Sequence, residues 1–105
     1  MLFKWGEQKR DHIYVRDCVR ANLLALDAPS GIYNVGTGVA TSFLELLNLI
    51  NKELGTDVKP KYINNTYGRT YQVHTQADTA RAEKYLKFRA KYSLKKGIHE
   101  YFTLL

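Results

Sequence analysis

Ser42 and Glu45 stand at the head of the clearest periodic apolar segment in this chain, and their spacing constrains the fold more than any other pair. It is the spacing of a capping box, in which the hydroxyl accepts from the N3 amide and the carboxylate reaches back to the N-cap amide. Phe43, Leu46, Leu47, Ile50 and Leu54 then recur at helical spacing, and Gly55 supplies the stop. The segment therefore predicts an amphipathic helix from Phe43 to Leu54.

The rest of the chain alternates around that helix. His12 to Val15 and Ile32 to Val35 are β-branched and aromatic runs that read as strands, as does Lys61 to Ile63. Tyr71 to Thr75 reads as a short extended segment after the polar loop Asn64 to Arg69. Asp17 is placed to cap a helix carrying Val19, Leu23 and Leu26 on one face, which Ala28-Pro29-Ser30-Gly31 ends. Asp78 is placed to cap a helix through Leu86. Ser93 is placed to cap a last one carrying Leu94, Ile98, Tyr101, Phe102 and Leu105. Short strands alternating with about four helices give an α/β arrangement. The strands either share one sheet or extend a sheet supplied by other residues.

Size and charge narrow the function. A chain of 105 residues is one domain or part of one. Its apolar runs, such as Leu23 to Leu26, fall far short of the roughly 20 residues that span a bilayer. The single cysteine, Cys18, rules out an intrachain disulfide, and with no apolar signal core at the start a cytoplasmic setting is expected. The formal charge of +6 invites a polyanion. The basic residues are nevertheless interleaved with acids, and the densest stretch, Lys84 to Lys96, fits a solvated helix face. A small phosphorylated ligand needs fewer charges, and those can be supplied locally.

Few groups carry chemistry. Gly36-Thr37-Gly38 with Asp57 further on imitates a dinucleotide fingerprint. However, Thr41 stands where close packing wants Gly or Ala, and Asp57 precedes the next strand instead of ending it. The bland reading is a tight turn delivering a helix N-terminus that could face an anion. His12, His74 and His99 have no partner at metal-ligand spacing, and Cys18 has no histidine partner, so packing roles are expected for them and no metal site. Two polar clusters remain, Lys9-Arg10-Asp11 and Arg69-Thr70-Tyr71-Gln72. An arginine can grip a phosphate bidentately, and a loop tyrosine can stack on a base or sugar.

At those clusters the sequence resembles a known family. Arg10-Asp11-His12-Ile13-Tyr14-Val15-Arg16-Asp17 is similar to the R-D-F-I-Y-V-x-D segment of extended short-chain dehydrogenases/reductases acting on nucleotide sugars. Gly31 to Gly38 resembles that family's G-x-Y-N-x-G-T-G. Gly68 to Asp78 resembles the G-R-Y-Q-x-x-T-Q-A-D pattern of its ADP-L-glycero-D-manno-heptose 6-epimerases. Gly97, Ile98 and Tyr101 in the last helix also match. The sequence departs at His12, at Arg16 and at Thr70, which is one residue extra before Tyr71.

The resemblance implies that residues 1–105 are the C-terminal substrate-binding domain of a nucleotide-sugar epimerase, without its Rossmann domain. It implies a nucleotide-diphosphate sugar as ligand. Arg10 would then lie on the phosphates, Tyr71 would line the same pocket, and Phe3 would match a phenylalanine ahead of the arginine segment. It also implies that NAD(P) serves the parent protein and that this chain itself holds no cofactor and no catalytic residue. Tyr92 and Lys96 formally complete Tyr-x-x-x-Lys, but at the start of the last helix, which we read as chance. An apolar face without its Rossmann partner could support a homo-oligomer. The alternative is a stand-alone basic nucleic-acid-binding or assembly module.

Overall fold

The helix that Ser42 and Glu45 predict is present. The computed structural model describes residues 1–105. In order, its elements are β1 (Leu2–Phe3), β2 (Lys9–Arg10), α1 (Val15–Ala25), β3 (Thr41–Ser42), α2 (Phe43–Leu54), β4 (Tyr62–Ile63), α3 (Ala80–Leu86) and α4 (Leu94–Thr103). A 3-10 turn covers Gly68–Thr70. Ser42 Oγ accepts from the Glu45 amide at 3.1 Å, and Glu45 Oε2 accepts from the Ser42 amide at 3.0 Å. Gly55 ends α2 in the left-handed region, at φ 66°. The apolar face of α2 lies against α4. Ser93 caps α4 by accepting from the Lys96 amide at 3.2 Å. Gly97 lets Tyr14 pack onto that helix, since a Cβ there would lie 3.2 Å from the Tyr14 Cβ. No helix is long and apolar enough to cross a membrane.

The architecture is α/β, but three of the four strands, β1, β2 and β3, lie outside the runs that read as strands. β1 pairs parallel with β4, Leu2 opposite Tyr62 and Phe3 opposite Ile63. β2 pairs antiparallel with β3, Lys9 opposite Ser42 and Arg10 opposite Thr41. Of the expected strands, Lys61 to Ile63 is confirmed as β4, and Tyr71 to Thr75 contributes one isolated bridge between His74 and Lys9. His12 to Tyr14 forms no ladder, though Tyr14 itself is extended, and Val15 already starts α1. Ile32 to Val35 also lies outside any helix or strand, and it makes no backbone–backbone hydrogen bond at all. Its side chains still alternate: Tyr33 and Val35 pack on the core, while Ile32 and Asn34 point to solvent. The strand pattern is there and the ladder partner is not.

The core is small. Ala21 of α1 and Ala82 and Leu86 of α3 surround Phe88, with Ile13, Leu24, Tyr33 and Val35 against them. The chain measures 45 × 37 × 17 Å, and only 10 of 105 residues are buried, because so thin a body has little interior. Asp17 is among those ten, and it does not cap α1 as its sequence position suggests. Tyr14 occupies the N-cap, and Asp17 sits in the first turn. Its carboxylate accepts from the amides of Lys91 at 3.0 Å and Tyr92 at 2.9 Å and pairs with Arg20 at 3.0 Å. It therefore ties α1 to the segment that leads into α4. Asp78 is displaced in a similar way: Thr79 holds the cap position of α3, and Asp78 Oδ1 accepts from the Ala80 amide at 3.1 Å.

α1 turns its apolar stripe outward. Val15, Val19, Leu23 and Leu26 are 60%, 54%, 62% and 79% exposed. The side of α1 that faces the core carries Ala21 and Leu24 instead.

Candidate functional site

β1 and β2 are joined by a turn at Gly6, whose φ of 78° suits glycine. Space demands glycine there too, because a Cβ would lie 3.1 Å from the Leu44 Cβ. The turn is bonded to the start of α2: the Leu44 amide donates to Gly6 O at 2.9 Å and the Phe43 amide to Gln8 O at 3.1 Å. Lys9, next along, donates to Val73 O at 2.8 Å and accepts from the Thr75 amide at 3.1 Å. β1, β2, the head of α2 and the loop around Tyr71 are thus held together by backbone bonds.

Arg10, Tyr71 and Phe3, which lie far apart in sequence, meet at that junction. The Arg10 guanidinium carbon is 5.1 Å from the Tyr71 ring centroid and 5.9 Å from that of Phe43. The Phe3 and Tyr71 rings meet edge to face, 4.9 Å apart at 84°. Arg10 Nη1 donates to Lys9 O at 2.7 Å. None of the ion pairs in the chain involves Arg10, so its charge is not neutralised from within. Beside it is a cleft of about 310 Å³ lined by Met1, Leu2, Phe3, Gln8, Phe43, Ile63 and Tyr71. Aromatic faces that attract a guanidinium also limit where its fork can point. A partly desolvated, oriented arginine beside an apolar cleft suits a phosphate attached to an organic group.

Phe43 and Gln8 belong to this site although nothing in the sequence marked them. Phe43 reads as one more member of the α2 stripe, and only the fold brings the first residue of that helix under Arg10. Gln8 is buried, with its side-chain amide donating to Lys4 O at 3.1 Å.

The glycine turn behaves differently from its sequence reading. An anion does occupy the Thr37 and Gly38 amides of the Gly36-Thr37-Gly38 turn, but it is the carboxylate of Asp11. Oδ1 accepts from the Thr37 amide at 2.9 Å and hydroxyl at 2.6 Å, and Oδ2 accepts from the amides of Gly38 at 2.8 Å and Ala77 at 3.2 Å. Burial pushes the pKa of Asp11 up, but the Thr37 hydroxyl and the three amides outweigh it and hold the carboxyl below its usual range. The Thr37 and Gly38 amides that would cradle a pyrophosphate are taken by Asp11, so this turn does not fit a dinucleotide. The N-terminus of α2 is equally committed, its first amides taken by Gln8, Gly6 and Ser42. Asp57 pairs with Lys59 on the surface at 2.9 Å.

The remaining candidates are dispersed. His74 Nε2 lies 3.2 Å from Gln76, and His99 meets Glu53 at 2.7 Å. His12 lies edge-on to Phe43 with its Nε2 buried and without a partner. It lines an apolar cleft of about 370 Å³ between the 12–15 segment, α2 and α4. Cys18 is half-buried on α1. Lys96 Nζ lies over the Tyr92 ring at 5.0 Å, so that pair is engaged in a cation–π contact.

Comparison with known proteins agrees in sequence and in shape. Residues 1–36 match the NAD dependent epimerase/dehydratase family. The ADP-L-glycero-D-manno-heptose-6-epimerase of Fusobacterium nucleatum is 36% identical over 110 residues, which cover 94% of this chain and 33% of that protein. Among solved structures, the UDP-glucose 4-epimerase of Thermotoga maritima with UDP-glucose superposes with a TM-score of 0.86 at 35% identity, covering 97% of this chain and 34% of that one. The ADP-L-glycero-D-manno-heptose-6-epimerase of Helicobacter pylori gives 0.86 at 38% identity, covering 98% and 32%. The chain therefore spans about a third of the length of the relatives it matches.

Proposed function

We propose, for a chain that corresponds in sequence and fold to the C-terminal domain of the NAD-dependent epimerase/dehydratase family, that residues 1–105 are the nucleotide-sugar-binding portion of such an epimerase. The observation that carries this reading is the convergence of Arg10, Tyr71 and Phe3 at one cleft, with the arginine free of any carboxylate. In this reading Arg10 takes the diphosphate, Tyr71 and Phe43 fix the direction of its fork, and Phe3 and Tyr71 give the organic part of the ligand an apolar wall. Heptose-epimerase relatives and the run Tyr71 to Asp78 support an ADP-heptose type of ligand.

Epimerisation in such a family relies on NAD(P) to take up and return a hydride. The glycine turn here that resembles a cofactor cradle is filled by Asp11. In our reading the chain contributes binding energy and orientation, which assist chemistry only when joined to a reacting centre. The outward stripe of α1 and the unpaired run Ile32 to Val35 are the features by which it would join one. A run with free backbone groups is suited to add onto another sheet, and exposed apolar helix surface to pack against another layer.

Calorimetric titration of the chain with ADP, UDP and their glucose conjugates tests the reading. Diphosphate-dependent binding that Arg10→Ala removes is the expected result. Equal binding by Arg10→Ala, or tight NADPH binding by the chain alone, would overturn it.

A further inference from the structure

Resting on that reading of the Arg10 site, we infer that Tyr67 is a further specificity-determining residue: with Tyr71 and Phe3 it forms a three-sided aromatic slot for the flat base of the ligand. The rings of Tyr67 and Tyr71 are nearly parallel, 22° apart, with centroids separated by 6.5 Å. Phe3 stands across both, at 62° to Tyr67 and 84° to Tyr71, with centroids 6.0 and 4.9 Å away. Two near-parallel walls and a transverse floor make a slot. A flat ring needs about 3.5 Å to each wall, roughly 7 Å between the ring planes, so Tyr67, whose outer side is exposed, moves outward to admit one.

The local backbone is built to hold Tyr67 at that position. Its amide donates to Asn65 Oδ1 at 2.9 Å, and its carbonyl accepts from the Thr70 hydroxyl at 2.6 Å. Gly68 follows at φ 57°, which glycine adopts without strain. Thr70 is the residue by which this loop departs from the G-R-Y-Q pattern, and its hydroxyl secures the tyrosine. The Tyr67 side chain, in contrast, is 63% exposed, and its hydroxyl makes no hydrogen bond within the chain. An aromatic ring fixed at its backbone and open on its outer face is suited to stacking. Arg10 lies over the ring that forms the opposite wall, so the phosphate-binding charge and the base slot adjoin.

The test titrates the full chain and its Tyr67→Ala, Tyr67→Phe and Arg10→Ala variants with ADP, UDP and inorganic pyrophosphate. Loss of one stacked ring is expected to weaken ADP and UDP by about tenfold in Tyr67→Ala. Pyrophosphate should be unchanged there, and Tyr67→Phe should bind all three normally. Arg10→Ala should weaken all three. If Tyr67→Ala binds the nucleotides normally while Arg10→Ala does not, the slot is overturned and the Arg10 site stands. If Tyr67→Ala weakens pyrophosphate as much as the nucleotides, the slot is overturned as well, because the ring would then be supporting the loop. If no ligand binds the unsubstituted chain, site and slot fall together.

Discussion

Asp11 holds Thr37 by two bonds to a single carboxylate oxygen, from the backbone amide at 2.9 Å and from the hydroxyl at 2.6 Å. The second oxygen takes the amides of Gly38 and Ala77, so one side chain joins three chain segments. Removing it leaves several donors without an acceptor, and each unsatisfied donor costs about 1–3 kcal/mol where water cannot enter. Half-burial of the site admits some water, so Asp11→Ala is expected to lose about 2 kcal/mol in urea unfolding. Asp11→Asn, which keeps the shape but loses the charge, should lose part of that. A stability equal to the unsubstituted chain in Asp11→Ala would show that the turn holds itself.

Acid should unfold the chain through Asp11 and Asp17. Burial pushes the pKa of Asp17 up, but the amides of Tyr92 and Lys91 and the Arg20 guanidinium pull it further down, below the ordinary value. Asp11 is lowered in the same way. An unfolded aspartate titrates near about 3.9, so around and below that pH the unfolded chain binds more protons than the folded one. Stability from these two groups is therefore complete above that pH and is lost as pH falls through their folded values. Thermal melts from pH 7 to pH 3 should show a steep fall below about pH 4. Asp17→Asn should be less stable at pH 7 and show a shallower fall. A parallel curve in that variant would exclude Asp17 as a source of acid sensitivity.

Gly36 is required by space. A Cβ there would lie 2.6 Å from the Ala77 Cβ and 2.7 Å from Asp11 Oδ2, both on short side chains that cannot swing away. Gly36→Ala should therefore force the glycine turn off the Thr75–Ala77 segment and cost about 1–3 kcal/mol. Gly55→Ala is the control: nothing lies within 4 Å of its added methyl, and only the strain of the left-handed φ of 66° applies. Melting the two variants side by side separates crowding from backbone strain. An equal loss in both would remove the crowding argument.

What the sequence made legible was local. The Ser42–Glu45 box predicted α2, because both capping partners lie within one turn of each other. Ser93 predicted the start of α4 for the same reason. Asp17 and Asp11 were harder, because their partners are amides contributed from far along the chain, at Lys91, Tyr92 and Ala77. An aspartate at a helix start reads as a cap unless the distant segment is known. Arg10 and Tyr71 stood out in their polar clusters, but only the resemblance put them in one pocket; Phe43 was not legible at all, since an apolar helix residue under an arginine looks like any other core position. The strands were least legible. Ile32 to Val35 has the alternation of a strand, and a ladder needs a second chain segment that residues 1–105 do not place beside it.

That unpaired run and the stripe of α1 lead to the last prediction. Val19 and Leu23 are 54% and 62% exposed on one face of an otherwise well-formed helix, and neither takes part in the core around Phe88. Contiguous apolar surface of this kind drives association when nothing covers it. Light scattering of the chain should show a mass that rises with concentration. The double variant Val19→Lys with Leu23→Lys should stay monomeric, because it places charge on that face. Its melting temperature at low concentration should be unchanged within about half a kcal/mol, as expected for substitutions away from the core. If the double variant associates as the unsubstituted chain does, the α1 face is not the docking surface. If it unfolds instead, the two side chains support the domain itself, and the outward stripe has been misread.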